Sequence, residues 1–428
     1  MRYQILDIEL TKPLPTVATG KQDNGLALIL RYGDCTSKAE RPIGFVLLPM
    51  QPNCSLSEVG LNTLLSKEVG AKLLQEKIRQ DLIVCTNTEK FPSLTVAICT
   101  KDRPDNVKRC LNSLLNLQLP NINQPAKFEI LVVDNAPSDE RTHELVKSMA
   151  SVGYTREPKP GLDFARNRAV QEAKGELLAF LDDDVVVDRQ WLRGLQEAWA
   201  ENPDAGAFTG LVLPYELETE AQIIFEHRGG FRRGFEKIRY QGSSLDGNPL
   251  YPCGAGIFGA GCNMAFRREV LLKLGGFDEA LDTGKPLPGG GDLDIFYRVI
   301  RAGYPLVYEP QYLIYHQHRQ EIEKLQHQYW SWGAGFMAFV IKSFQQDVSQ
   351  RAKLISLILW WFQYQLQQLA DSYLGTRILP PSMVWAEIWG GIQGLFGEYQ
   401  RSQRRVEKIR KANSESSKLP QDTCINAS

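Results

Sequence analysis

The sequence predicts an α/β fold. A mainly parallel sheet flanked by helices follows a small N-terminal α+β domain (1–90) and precedes a C-terminal helical region (321–412). Three observations predict it. From Phe91 onward, short apolar runs alternate with helical stretches, the pattern of βαβ units. Several runs end in hydroxyl or acidic residues, at the strand ends where open parallel sheets gather ligands. From about residue 320 the chain becomes rich in Trp, Leu and Gln, a texture of helices with apolar faces.

The elements follow in order. Strand-like runs at Tyr3–Leu10, Leu26–Tyr32 and Ile43–Leu48 precede a helix that opens on the capping box Ser55-Leu56-Ser57-Glu58. Its Leu61, Leu64, Leu65, Val69 and Leu73 recur at helical spacing, and no chemistry is visible in this unit. Leu94–Cys99 is the first strand of the main sheet. Pro104 then opens a helix with Val107, Leu111, Leu114 and Leu115 on one face. Phe128–Val133 is the next strand, ending at Asp134, after which Ser138 is expected to cap a helix led by Asp139 and Glu140. A helix over Phe164–Ala173 leads to Leu177–Leu181, a strand that stops at Asp182-Asp183-Asp184. Near the end, Leu354–Trp361 and Met383–Phe396 are apolar pieces separated by Pro380-Pro381, and Arg401–Lys411 carries six basic residues against one acidic. Two arrangements fit: helices lying on an anionic membrane surface, or helices packed on the preceding domain. The polar tail, 413–428, is expected to be disordered.

Composition excludes several classes. With 49 basic and 50 acidic residues in 428, the chain lacks the positive excess of a nucleic-acid-binding protein. Its eight cysteines show no C-x-x-C spacing, which argues against a zinc ribbon or disulfide framework and for a reducing, cytoplasmic setting. The N-terminus lacks the apolar run of a secretion signal, and no stretch is clean enough to span a membrane. The expected place is therefore the cytoplasm or the inner face of the cytoplasmic membrane.

Three adjacent carboxylates at the end of a buried strand repel one another unless a cation is near. Mg2+ or Mn2+ binds through one or two carboxylates and completes its shell with phosphate and water, which suits a diphosphate leaving group. A solvated acidic turn before Trp191 is the plainer alternative.

Four segments extend this beyond the tripeptide: Val96-Ala97-Ile98-Cys99-Thr100 with Arg103, Val132-Val133-Asp134-Asn135, Gly161-Leu162-Asp163-Phe164-Ala165-Arg166-Asn167, and Phe180-Leu181-Asp182-Asp183-Asp184. In order and spacing, residues 92 to about 320 resemble the family 2 glycosyltransferases, which have a GT-A fold. The resemblance implies a nucleotide-sugar donor whose nucleotide is met by Thr100, Asp134, Arg166 and Asp182, with Asp184 as a metal ligand. It leaves Asp183 without a role. Gly259–Arg268 and Leu274–Asp278 add to it. The G-x-G-x-x-G match at Gly254–Gly259 has no strand before it and no helix after it, so it is not read as a dinucleotide fingerprint.

Further along, Pro288-Gly289-Gly290-Gly291-Asp292 delivers an acidic residue to a helix start. The resemblance implies that Asp292 is the general base of an inverting transfer, with Asp294 as the fallback. The family usually has an acidic residue where this chain has Gly291. His316 stands where relatives often place a metal-ligating histidine. His316 and His318 are expected to face apart, so that only His316 reaches the metal. The expected reaction moves a sugar to a hydroxyl of a glycan or lipid-linked acceptor, with peripheral membrane contact. The rival is a catalytically silent nucleotide-sugar-binding or scaffold protein, which would bind donor without turning it over.

Overall fold

The computed structural model describes residues 2–33, 40–82, 91–117, 128–284, 286–376 and 378–416. The N-terminal unit is a three-stranded sheet of β1 (Gln4–Glu9), β3 (Gly25–Gly33) and β4 (Glu40–Pro49), in the order β1-β3-β4. The short strands β2 (Val17–Ala18) and β5 (Ser55–Leu56) pair beside it, and α1 (Glu58–Leu82) covers it through Leu61, Leu65 and Val69. These are the apolar positions that recur at helical spacing in the sequence.

The main sheet has nine strands. Its first half is a βαβ run: β6 (Leu94–Thr100), α2 (Pro104–Leu115), β7 (Phe128–Asn135), α3 (Arg141–Lys147), β8 (Val152–Glu157), α4 (Leu162–Glu172) and β9 (Leu177–Asp182), all expected except β8. The strands β8, β7, β6 and β9 lie side by side and parallel. Alternation along β6 divides the core. Val96 and Ile98 join Val107 and Leu111 on one face, while Ala97 and Cys99 join Ala165 and Ala169 on the other.

The second half is mixed. After β10 (Val185–Val187) and α5 (Trp191–Glu201) come β11 (Ala207–Pro214), α6 (Glu220–His227), β12 (Ile238–Tyr240), β13 (Asn263–Arg267), α7 (Arg268–Lys273), α8 (Gly291–Arg301) and β14 (Leu306–His316). Strand β13 pairs antiparallel with β9 and β11, and β11 runs parallel to β14. Strand β14 runs unbroken through Glu309-Pro310-Gln311 to His316. Ser138 makes no cap for α3, which starts later with Glu140 at the N-cap position; the Ser138 N–H donates to the Asp102 carboxylate at 2.8 Å.

Four helices close the chain: α9 (Ile322–Gln346), α10 (Arg351–Tyr373), α11 (Pro381–Gln393) and α12 (Tyr399–Ser416). They pack on the domain of the main sheet. A Cβ on Gly335 of α9 would lie 2.6 Å from the Gly289 carbonyl carbon, so the two backbones touch there because neither residue has a side chain. From α12, Tyr399 donates to the Asp278 carboxylate at 2.8 Å, Ser402 meets Thr283 at 3.1 Å, and Arg410 reaches Glu279 at 2.6 Å. Thus part of the basic run Arg401–Lys411 is engaged with the domain rather than turned outward. Helix α12 continues to Ser416, four residues into the segment expected to be a disordered tail; the rest of that segment lies outside the described residues.

One buried cation ties the N-terminal unit to the sheet. The Arg31 side chain is fully buried and donates to Asp188 at 2.6 Å, to Tyr315 at 2.7 Å and to Asp7 at 2.8 Å. Among the described residues there are five free cysteines, while Cys35, Cys85 and Cys424 lie outside them.

Candidate functional site

Parallel register brings the acidic strand ends together. Thr100 lies across from Asp134, and Cys99 lies across from Asp182, so β6, β7 and β9 stop in line. Past these ends opens a cavity of about 660 Å³, a size suited to a small-molecule ligand. Thr100, Asp182, Asp184 and His316 line it, and the rim adds Arg103, Arg319 and Arg405. Asp134, Arg166 and Asp292 are not among its lining residues; Asp134 and Arg166 are buried, and Asp292 is partly exposed. The Asp134 carboxylate accepts from Tyr154 Oη at 2.9 Å, while its neighbour Asn135 reaches the cavity.

The three adjacent aspartates separate in function. Asp183 accepts from Thr100 Oγ1 at 2.7 Å and from Arg103 at 3.1 Å, which fixes the first strand end against the third. No sequence signal distinguished it from its neighbours. Asp182 is pushed up to about 6, first by burial and then by the charge of Asp184. Burial also raises Asp184, whose Oδ1 is buried without a hydrogen-bond partner. Arg103 and Arg319 approach its other oxygen at 3.7 and 3.8 Å, with side chains 47% and 40% exposed, so water screens both.

His316 arrives from the end of β14, which pairs with β10 in the register Val185 to His316. The expectation that His316 and His318 face apart fails. Residues two apart in an extended segment share a face, and the two Nδ1 atoms lie 3.2 Å from each other. His318 Nε2 is 2.7 Å from the Glu226 carboxylate, which Arg232 also holds. Burial holds both imidazoles below the ordinary histidine range, His318 at about 3, so both are neutral. The tautomers then follow from the contacts. If His318 donates through Nε2 to Glu226, its Nδ1 must accept from His316 Nδ1, and His316 Nε2 carries a lone pair. That lone pair is 3.3 Å from the unpartnered Asp184 Oδ1.

Two electron-pair donors thus face each other across a gap that calls for a cation, so the donor set fits a divalent metal. Asp182, Cys262 and His316 also offer ligand atoms within 4.8 Å of one another. The register of β13 on β9, Asn263 opposite Leu181, puts Cys262 beside Asp182. Burial raises the Cys262 thiol well above its usual range, so it stays protonated, and hard cations prefer oxygen. Sequence reasoning missed Cys262, His318 and Glu226, because their placement depends on strand pairing.

A second acidic group surrounds Arg166. Its Nη1 donates to Asp163 at 3.0 Å and to Asp282 at 3.3 Å, and its side chain stacks on Phe277. Asp292, in the first turn of α8, accepts from Gly261 N–H at 3.0 Å and from Leu293 N–H at 2.9 Å. Asp294, the fallback, is instead buried in pairs with Arg298 at 2.7 Å and Lys342 at 2.6 Å, which is a structural role.

Residues 95–275 match the family profile described as Glycosyl transferase family 2. The chain is 28% identical over 223 residues to the succinoglycan biosynthesis protein ExoM of Rhizobium meliloti, covering 51% of this chain and 64% of that one. It is 22% identical over 203 residues to a glucosyl-dolichyl phosphate glucuronosyltransferase of Haloferax volcanii, covering 45% of this chain and 57% of that one. The chain therefore spans less than two thirds of the length of either relative. A mannosyltransferase from Pyrobaculum calidifontis, solved with GDP-Man and Mn2+, is similar at 15% identity and a TM-score of 0.48, over 78% of this chain and 97% of that one. A likeness of that size fixes no residue correspondence.

Proposed function

We propose that this chain, whose residues 95–275 form a glycosyl transferase family 2 domain, moves a sugar from a nucleotide-sugar donor to an acceptor hydroxyl. The observation that carries the reading is the gap between Asp184 Oδ1 and His316 Nε2, beside the aligned ends of β6, β7 and β9. Asp184 and His316 would hold Mg2+ or Mn2+, which when bound supplies positive charge to the donor diphosphate. Asp182 and Thr100 face the nucleotide from the cavity wall, while Asp134 sets the second strand end from behind. Arg166, expected among the partners of the nucleotide, is instead buried in pairs with Asp163 and Asp282, and in this reading it supports the acceptor side. Asp292 takes the proton of the attacking hydroxyl in a single inverting displacement.

The chemistry at this chain's own atoms is modest. His318 and Glu226 orient His316, and Arg103 and Arg319 meet charge at the rim. Donor hydrolysis in the presence of Mn2+ tests the reading against a silent scaffold. Wild type is expected to release nucleoside diphosphate from at least one nucleotide sugar, and Asp184→Ala to release none. Unchanged turnover in Asp184→Ala would overturn the metal assignment.

The acceptor is a glycan or lipid-linked hydroxyl, and the C-terminal helices bring the enzyme to an anionic bilayer surface. Among the described residues no helix is long and apolar enough to cross a membrane. Yet Leu359 and Leu366 of α10 are 67% and 60% exposed, and Trp385 and Trp389 of α11 are 50% and 56% exposed. Trp385 Nε1 donates to Tyr373 Oη at 3.3 Å, which joins the two stripes. Exposed Trp and Leu with the basic Arg404, Lys408 and Lys411 on the next helix suit the headgroup boundary of an anionic bilayer. Sedimentation with phosphatidylcholine vesicles, with and without phosphatidylglycerol, is expected to capture wild type with the anionic lipid. Equal capture of a Trp385→Ser/Trp389→Ser variant would sink this placement.

A further inference from the structure

Asp282 differs from the other carboxylates around Arg166 in facing the cavity. It precedes the glycine-rich turn with φ +50, a left-handed conformation that non-glycine residues seldom adopt. Such strain persists where surrounding contacts over-determine it. Here the contacts are Arg166 Nη1 at 3.3 Å and Gly291 N–H at 3.2 Å, both on Oδ2. Among the described residues no hydrogen bond reaches Oδ1, and the side chain keeps 16% of its surface exposed, against 0% for Asp163. Asp282 lines the cavity together with Thr283, Gly284 and Pro288, its neighbours on the same loop.

The position before Asp292 explains how these loops meet. A Cβ on Gly291 would stand 2.1 Å from Asp163 Oδ2 and 2.8 Å from Asp282 Oδ2. The space beside Asp292 is therefore filled by carboxylates from other parts of the chain, and only glycine admits them. A Cβ on Gly261 would likewise lie 3.0 Å from Asp292 Cβ and 3.1 Å from Arg166 Nη2, so the guanidinium and both acceptor-side carboxylates form one assembly.

We propose that Asp282 is an acceptor-binding residue: its Oδ1 accepts a hydrogen bond from an O–H of the acceptor other than the one that loses its proton, a neighbouring hydroxyl or the second O–H of water, and so holds the attacking oxygen toward the donor sugar. This rests on the glycosyltransferase reading. The hydroxyl proton passes to Asp292, the oxygen bonds to the anomeric carbon, and the bond from that carbon to the diphosphate breaks with its electron pair leaving on the diphosphate. Asp282 keeps its charge throughout. Burial raises its carboxyl to about 6, with Arg166 as the main opposing influence, so it is mostly ionised at neutral pH and able to accept.

Donor hydrolysis with Mn2+, in which water is the hydroxyl, tests this alongside calorimetric binding of UDP and GDP with Mn2+ and a thermal melt. Asp282→Asn and Asp282→Ala are expected to slow hydrolysis at least about tenfold while nucleoside diphosphate affinity stays at the wild-type value. Wild-type turnover in both variants would overturn the assignment. So would loss of nucleotide affinity or of melting temperature in Asp282→Asn, since it would make Asp282 a donor-side or purely structural residue. A wild-type protein that binds UDP or GDP with Mn2+ but turns over no donor would overturn the glycosyltransferase reading, and the inference with it.

Discussion

Asp182, Asp183 and Asp184 are consecutive at one strand end, whereas Asp163 starts α4, Asp292 starts α8 and Asp282 lies in the stretch leading to α8, yet both groups gather three carboxylates beneath the surface. Their compensation differs. The dispersed group encloses Arg166, whose side chain is 5% exposed and pairs with two of its members. The consecutive group has only rim arginines that water screens, and it leaves Asp184 Oδ1 without a partner. An acidic cluster built around its own cation is complete as folded. One whose cations stay at the rim fits the divalent metal proposed for it.

The largest expected effect falls on the reaction. Asp292→Asn should lower turnover by about 10²–10⁴-fold while donor binding persists. Normal turnover with weakened donor affinity would move Asp292 to the donor side. Next comes Arg166→Met, which strips the dispersed group of its cation and leaves Asp163, whose carboxyl burial already raises well above its usual range, uncompensated. A loss of about 3–5 kcal/mol in urea unfolding is expected. A loss below about 1 kcal/mol would show that the group does not depend on its arginine.

Asp184→Ala should spare the fold and remove the stabilisation that Mn2+ gives wild type. Its metal affinity should fall by at least the roughly hundredfold that even a supporting residue can cost. Mn2+ protection equal to wild type would erase the contrast between the clusters.

The smallest effect is on pH dependence. Asp182 and Asp282 both have folded values raised to about 6, so the folded state holds their protons more tightly than the unfolded chain does. Their share of metal-free stability should therefore fall as pH rises from about 4 through about 6, while His316 and His318, whose values burial lowers, contribute a rise over the same range. Mn2+ should reverse the Asp182 share and leave the Asp282 share, which Arg166 already opposes. Thermal melts across that range, with and without Mn2+, check it. Asp282→Asn, which removes one falling share, should tilt the metal-free profile upward relative to wild type, and an unchanged slope would refute the sign.

How much of this was legible in the sequence follows from how far apart the partners are. Strands β6, β7 and β9 and their Thr100, Asp134 and Asp182–Asp184 ends could be read, because apolar runs and strand-end residues are local signals. His316 was found only through family resemblance. Its orienting partners, His318 and Glu226, depend on β14 meeting α6, and the facing-apart expectation reversed the alternation of an extended chain. Asp163 and Asp282 were invisible as a pair because Arg166 joins one partner 3 positions away to another 116 positions away. Gly291 was noted as a departure from the family pattern, yet the sequence could not tell that its missing side chain makes room for those two carboxylates.

The contact of Gly335 with Gly289 and Gly290 also bears on how such a chain can diversify. The turn that carries Asp292 and the helix resting on it can change only in concert, since a side chain on either would push the other away. Transplanting residues 95–275 into a relative would carry the strand ends but leave behind Asp282, the turn and the helices that hold it. What is inherited as a working unit here is longer than what is recognisably shared.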